Sequence, residues 1–253
     1  MTTKRSPWFM RFGPRRAARL RLFCFPYAGG SAGTFESWGG ELDGVEVVAV
    51  QLPGRSNRIN EKPLESVADI VTPLIAELRH FRDLPFALFG HSNGALICFE
   101  LARELQRRGI EGLAHIFLSA KRALHLPRTR ANTHDLPYDQ FIAELRSING
   151  TPEEVLRKQE LMALFVPVLR ADFKVNETHR YHADIRLKSS ASLFAGALDT
   201  NIPKADMLAW QENIDSGDVR YTEFPGDHFF IHSHRQAVLA EVNSILAGLP
   251  RQA

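Results

Sequence analysis

Apolar residues in this chain gather in six short, dense runs: LRLFCFPY (20–27), VEVVAVQLP (45–53), PFALFGH (85–91), LAHIFLSAK (113–121), ASLFAGALD (191–199) and VRYTEFPG (219–226). Each is nearly continuous rather than alternating, the pattern of a strand covered on both faces. Between them, SVADIVTPLIAELRHF (66–81) and ALICFELARELQRRG (95–109) repeat apolar residues every three or four positions, and the second stops at Gly109. HSHRQAVLAEVNSILAGL (232–249) closes the chain in the same way. Strand–helix alternation predicts an α/β fold, a mostly parallel sheet with helices on both faces. At 253 residues, with no internal repeat, residues 1–253 suit one domain.

One connection is too long for a single crossover helix. Lys121 and Ala191 lie 70 positions apart. PYDQFIAELRSI (137–148) reads as a short helix with an apolar face. TPEE (151–154) reads as a capping box, with Pro152 at the first helical position. The helix after it carries Leu156, Leu161, Leu164 and Phe165, then meets Pro167. The segment is either an extra packing layer or a helical lid over a pocket. Its place of insertion, at about 125–185, favours the lid.

Charge adds one feature. Lys4, Arg5, Arg11, Arg15, Arg16, Arg19 and Arg21 all precede the first acid, Glu36, so the first 35 residues carry +7 and, against a net +2, the rest carry −5. Arginines interrupt every apolar run before residue 22, which argues against a secretory signal, and no clean amphipathic helix supports a transit peptide. No run approaches the ~18 apolar residues of a membrane span. A cytoplasmic monomer is expected, with a basic arm that is solvated or docks an acidic partner; no nucleic-acid motif accompanies the charge. Cys24 and Cys98 sit in apolar runs and read as buried small hydrophobes, with no disulfide framework and no metal-ligand spacing.

Two segments match Gly-x-Ser-x-Gly: GGSAG (29–33) and GHSNG (90–94). Ser92 follows a buried strand without a break and opens an amphipathic helix. That is the setting of a nucleophile elbow, where the turn is so tight that Gly90 and Gly94 must lack side chains. Ser31 has a poorer setting, because Pro26 interrupts its strand and the following TFESWGGEL is short and broken by glycine.

A serine nucleophile needs a base, and the base an orienting acid. In α/β-hydrolases the chain order is Ser, Asp or Glu, His. Among ten histidines His228 stands just beyond the last strand, in FPGDHFF. His91 adjoins Ser92 and should turn away to pack. His228, His232 and His234 form H-x3-H-x-H, but no acidic or cysteine ligand spacing supports a metal. Asp199 ends a strand run, at the carboxyl edge where Ser92 and His228 should also emerge. Asp227 is too close in sequence to orient its neighbour's ring, and Asp206, Asp215 and Asp218 read as solvated. The glycine-rich FPYAGGSAG then suits the loop that supplies one oxyanion-hole N–H, from Ala28, with Asn93 supplying the other.

FCFPYAGGSA, QLPGRSNRINEKP, FGHSNGA, PVLRADFKVNETHRY and PGDHFF occur here in that order. Through them the chain, from about Trp8 to Leu249, resembles the type II thioesterases of polyketide and nonribosomal peptide synthesis, stand-alone α/β-hydrolases. The resemblance implies about seven strands, a lid between the fourth and fifth runs quoted, a Ser92–His228–Asp199 triad and oxyanion residues Ala28 and Asn93. It implies no metal or organic cofactor. The partner it implies is an acyl or peptidyl carrier protein bearing an acylated phosphopantetheine arm. Two positions depart from the family pattern. Asn93 stands where Met or another apolar residue is common, which leaves its amide to meet an acyl group or the lid. RLKSSASLF lacks the proline that often enters the strand before the acid. A carboxylesterase or lipase for free esters, and an inactive hydrolase fold kept as an assembly factor, are the alternative readings.

Overall fold

The computed structural model describes residues 6–13, 18–148, 150 and 153–249. Seven strands form one sheet: β1 (Phe9–Phe12), β2 (Leu20–Phe25), β3 (Val45–Val50), β4 (Phe86–His91), β5 (Leu113–Ser119), β6 (Ser190–Gly196) and β7 (Val219–Phe224), in the order β1-β3-β2-β4-β5-β6-β7. All neighbours run parallel except β1, which is antiparallel to β3. The six sequence runs are the six parallel strands. Every residue of β2, β3 and β4 is buried, which accounts for the absence of a polar alternation. Leu22 and Cys24 face one layer and Phe23 and Phe25 the other, so successive residues feed two different cores.

One core lies under α1 (Val67–Leu78) and α2 (Asn93–Arg107), the other under the C-terminal helix (Arg235–Ala247) and a 3₁₀ turn at Ala32–Trp38. The long connection between β5 and β6 holds α3 (Tyr138–Ile148), α4 (Glu153–Leu156) and α5 (Gln159–Thr178). It has a small core of its own, built from Phe141, Ile142, Leu145, Leu156, Met162, Val166 and Leu169. Helix α5 continues through Pro167. The lost hydrogen bond and ring clash cost ~3 kcal/mol, but Val166, Val168 and Leu169 beside it are buried, each gaining ~1.5–3 kcal/mol. The TPEE capping box includes Thr151 and Pro152, which lie outside the described residues.

The basic start is not a free arm where it is described. β1 uses residues 9–12, and Arg11 and Arg21 both pair with the buried Glu46, at 2.7 and 2.5 Å, while Arg21 also pairs with Asp83. Arg19 donates to the carbonyl of Leu246 at the other end of the chain. Lys4, Arg5, Arg15 and Arg16 lie outside the described residues. Among the described residues no helix is long and apolar enough to cross a membrane.

Where the chain reverses its direction of winding, ligands reach an open sheet. Here β3 lies on one side of β2 and β4 on the other, so the loops leaving β2 and β4 diverge from adjacent points, with Phe25 paired to Gly90. Ala28 and Ser92 both follow from that junction.

Just past β5, burial pushes the Lys121 ammonium down to about 7, helped by the nearby charges of Arg128 and Arg122. Its Nζ donates to Asn176 Oδ1 on α5. Between pH ~7 and the unfolded value of ~10.4 the unfolded chain holds a proton that the folded protein lacks, so this residue makes stability rise with pH in that window. Below pH ~7 both states are protonated and the full cost of burying the charge is present. Denaturation midpoints from pH 6.5 to 9.5 should therefore climb more steeply for wild type than for Lys121→Met. Parallel curves would show that the ammonium is not penalised.

Candidate functional site

Ser92 joins β4 to α2 with φ 55° and ψ −114°, a conformation that costs a non-glycine residue ~1–3 kcal/mol. The packing around it shows why no relaxed turn fits. A Cβ on Gly94 would stand 2.1 Å from the carbonyl oxygen of Phe25, and one on Gly90 would stand 2.3 Å from that of Gly94. Helix α2 is thus pressed against the ends of β2 and β4, and the strain falls on the residue between the glycines. Ser92 N–H donates to the carbonyl of Ser119 at 2.8 Å, which fixes the turn to the end of β5. Ser31, by contrast, has ordinary extended backbone (φ −128°) before the 3₁₀ turn.

Asp199 and His228 meet. Nδ1 of His228 lies 2.6 Å from Oδ2 of Asp199, with the carboxylate almost wholly buried. An ionised carboxylate only accepts, so Nδ1 carries the proton and the lone pair is left on Nε2. The other oxygen of Asp199 accepts from the N–H of Asn201 at 3.0 Å, which fixes the carboxylate in its loop. The two loops are bound together, since Leu198 N–H donates to the carbonyl of Gly226. Gly196 permits this approach: a Cβ there would stand 2.4 Å from the carbonyl oxygen of Asp227. A glycine ending a strand signals such a contact, and that signal was available in ASLFAGALD.

His91 is fully buried and turned away from solvent. Its Nε2 lies 2.8 Å from the backbone oxygen of His228, and its Nδ1 2.8 Å from the hydroxyl of Ser119. The carbonyl requires a proton on Nε2, so the Ser119 hydroxyl donates to Nδ1. Burial, followed by the proximity of His228, holds its pKa well below the usual histidine range, so it stays neutral. His91 therefore packs, as its position suggests, and also ties the loop of His228 to the residue beside Ser92. The ring centroids of His91 and His228 are 5.4 Å apart. None of the hydrogen bonds among described residues joins the Ser92 hydroxyl to His228.

The remaining candidates separate. Asp227 is exposed and accepts from Phe229 N–H, while Asp206, Asp215 and Asp218 pair with Arg122, Arg186 and Arg220. The imidazole of His232 is bonded to Tyr27 and that of His234 to Ser233, so the three histidines of H-x3-H-x-H face different partners. Among the described residues no three His, Cys, Asp or Glu side chains are placed to hold a metal ion.

Ala28 and Gly29 are the central residues of a turn closed by Gly30 N–H donating to Tyr27 C=O, with Gly29 at φ +76°. The N–H of Ala28 takes no part in that bond. Asn93 is the first residue of α2, where backbone N–H groups have no helical acceptor. The Asn93 amide reaches the insertion, donating to the carbonyl of Asp172 on α5 at 3.2 Å. Arg55 and Asp172, both buried, form a two-bond ion pair behind this turn that the sequence patterns did not single out.

Comparisons with known proteins agree on one family. Residues 20–246 match the model of the thioesterase domain. The chain is 40% identical over 233 residues to the gramicidin S biosynthesis protein GrsT of Aneurinibacillus migulanus, covering 92% of this chain and 91% of that one. It is 35% identical to thioesterase PikA5 of Streptomyces venezuelae, covering 94% and 85%. Among solved structures, the type II thioesterase BorB of the borrelidin biosynthetic cluster superposes with a TM-score of 0.86 at 34% identity, covering 96% of this chain and 98% of that one.

Gly94→Ala tests the elbow's packing. It should lose at least the ~1–3 kcal/mol of an overpacked core in urea denaturation, because the obstruction is backbone. Wild-type stability would mean that α2 can withdraw from β2, and that the strain at Ser92 is not imposed by packing.

Proposed function

The chain belongs to the thioesterase family, hydrolases of thioester bonds with the α/β-hydrolase fold, and from that premise we propose that it clears acyl groups from the phosphopantetheine arm of carrier proteins in a polyketide or nonribosomal peptide synthase. The observation that carries this reading is the buried Asp199–His228 pair beside the strained Ser92. The relatives support the setting, since GrsT is named for gramicidin S biosynthesis and BorB comes from a borrelidin cluster.

In this mechanism Ser92 Oγ attacks the thioester carbonyl and its proton passes to Nε2 of His228. Asp199 holds the ring in the tautomer that leaves Nε2 free, and favours the imidazolium that forms. The carbonyl oxygen, now anionic, lies against the N–H groups of Ala28 and Asn93, each such donor contributing ~3 kcal/mol. The C–S bond breaks, and the pantetheine thiol leaves with the proton from His228. A water molecule, giving its proton to the same nitrogen, then attacks the Ser92 ester; the C–O bond breaks, Ser92 Oγ takes the proton back from His228, and the acid is released.

The insertion acts as the lid of this site. Leu169 of α5 lies where a Cβ on Gly29 would come within 2.7 Å of it, and Phe229, next to His228, lies similarly close to Gly150.

Intact-mass analysis of a panel of acylated carrier proteins tests the proposal. Wild type should shorten each susceptible carrier by the acyl mass, and Ser92→Ala should slow this by ~10⁴-fold or more. The same acyl group on a small thiol should react more slowly than on the carrier. Equal turnover of free esters and acyl-carrier would favour a general carboxylesterase. Full complementation of a deletion strain by Ser92→Ala would favour an inactive assembly factor. Asp199→Asn should lower kcat by about 10⁴-fold with little change in KM, and a loss under tenfold would remove Asp199 from the mechanism.

A further inference from the structure

Asp172 lies in the middle of α5, 1% exposed, with its carboxylate fully engaged. Oδ2 accepts from the backbone N–H of Gly29 at 2.7 Å and from Nη1 of Arg55 at 2.7 Å; Oδ1 accepts from Nη2 of Arg55 at 2.8 Å. Its backbone carbonyl accepts from the Asn93 amide. Arg55 in turn donates to the carbonyl of Gly30 at 3.1 Å. Gln51 completes the frame: its Oε1 accepts from Ala32 N–H, and its Nε2 donates to the carbonyl of Arg55. One residue of the insertion is therefore bonded to both segments that carry the oxyanion N–H groups.

A buried ion pair contributes little net stability compared with apolar side chains of the same volume. What a carboxylate adds is a fixed acceptor for a backbone N–H. In the turn from Tyr27 to Gly30 the central peptide, Ala28–Gly29, is the plane that differs between turn types. Gly29 N–H belongs to that plane, so its bond to Asp172 fixes the central peptide against α5; the Ala28 N–H belongs to the preceding peptide, Tyr27–Ala28, and is held in place as part of the same closed turn. Arg55 holds the carboxylate in line by two parallel bonds, a geometry a lysine does not reproduce.

We propose that Asp172 is a positioning residue of the oxyanion hole, its carboxylate orienting Ala28 through Gly29 while its carbonyl seats Asn93. The proposal rests on the Ser92 mechanism above. Asp172 touches no reacting atom; it acts on the spacing of two N–H groups that must converge on one oxygen.

Asp172→Asn keeps the shape, but places an amide N–H₂ against either Arg55 or Gly29. Three quantities are to be measured: kcat and KM on an acyl-N-acetylcysteamine thioester, the inhibition constant of an alkyl trifluoromethyl ketone, and the denaturation midpoint. The ketone adds to the serine and places an oxyanion in the hole, so it reports the hole directly. Losing a whole oxyanion donor costs about 10²–10³-fold, so misplacing one should lower kcat by about 10–100-fold. Ketone affinity should fall by the same factor, with KM changed by less than about threefold. A folded variant with wild-type kcat and ketone affinity overturns the proposal, as does a fall in kcat with ketone affinity unchanged. Should Asp172→Asn not fold, Arg55→Lys serves instead: a parallel loss of about 3–10-fold in kcat and ketone affinity supports the role, on the same scale of donor energies, and no loss overturns it. If wild type neither turns over the thioester nor binds the ketone, the Ser92 mechanism itself fails, which is visible before any variant is made.

Discussion

Helix α2 approaches the ends of β2 and β4 so closely that no side chain fits at Gly90 or Gly94, and the geometry of the rim follows from that contact. Tight packing there forces Ser92 to the positive φ that lifts it out of both the strand and the helix. It also brings the loop after β2 beside the elbow, because Phe25 is the residue whose carbonyl meets Gly94 and whose register partner is Gly90. Ser92 and the loop after β2 are thus set against each other by backbone, before any side-chain contact is considered.

The opposite side of the rim is built by the same means. Gly196 lets the loop of His228 settle on the end of β6, where Asp199 waits in its own turn. His91 then joins the two halves: it follows Gly90 in β4 and holds the backbone of His228 with a neutral ring. Residues from β4, β6 and β7 are thereby locked at one end of a parallel sheet, and each lock is a backbone or buried polar contact with little freedom to drift. The insertion, with a core of its own, is fastened to this rim by Asp172 and Asn93.

The parts of this arrangement that were legible in the sequence are those with local signals. Five of the parallel strands are readable because double-sided burial leaves nearly unbroken apolar runs; β7, an edge strand in which only Phe224 is buried, is readable from its β-branched and aromatic residues. Ser92, Asp199 and His228 are readable because each ends or follows a strand run. β1 is hidden: it has four residues at an antiparallel edge, its pattern is FMRF, and only Phe9 is buried. Arg11 and Arg21 read as part of a basic arm because their acceptor, Glu46, lies in a different run. Arg55 and Asp172 are 117 residues apart, and an acid in mid-helix ordinarily faces solvent; only the folded chain shows them paired. Pro167 reads as a stop, yet tertiary burial carries α5 through it. Asn93, a departure from the family pattern, finds its explanation in a carbonyl 79 residues away.

The central claim is that Ser92 carries the acyl group between thioester and water. Rapid quenching of the enzyme with a slowly hydrolysed acyl-carrier thioester, followed by peptide mapping, tests it most directly. The account predicts a transient gain of the acyl mass on the tryptic peptide 83–103, lost on ageing, stable to neutral hydroxylamine and removed by alkaline hydroxylamine, as for an oxygen ester. An acyl group found on another peptide, or product formed in the first turnover with no covalent species at any time, would contradict it.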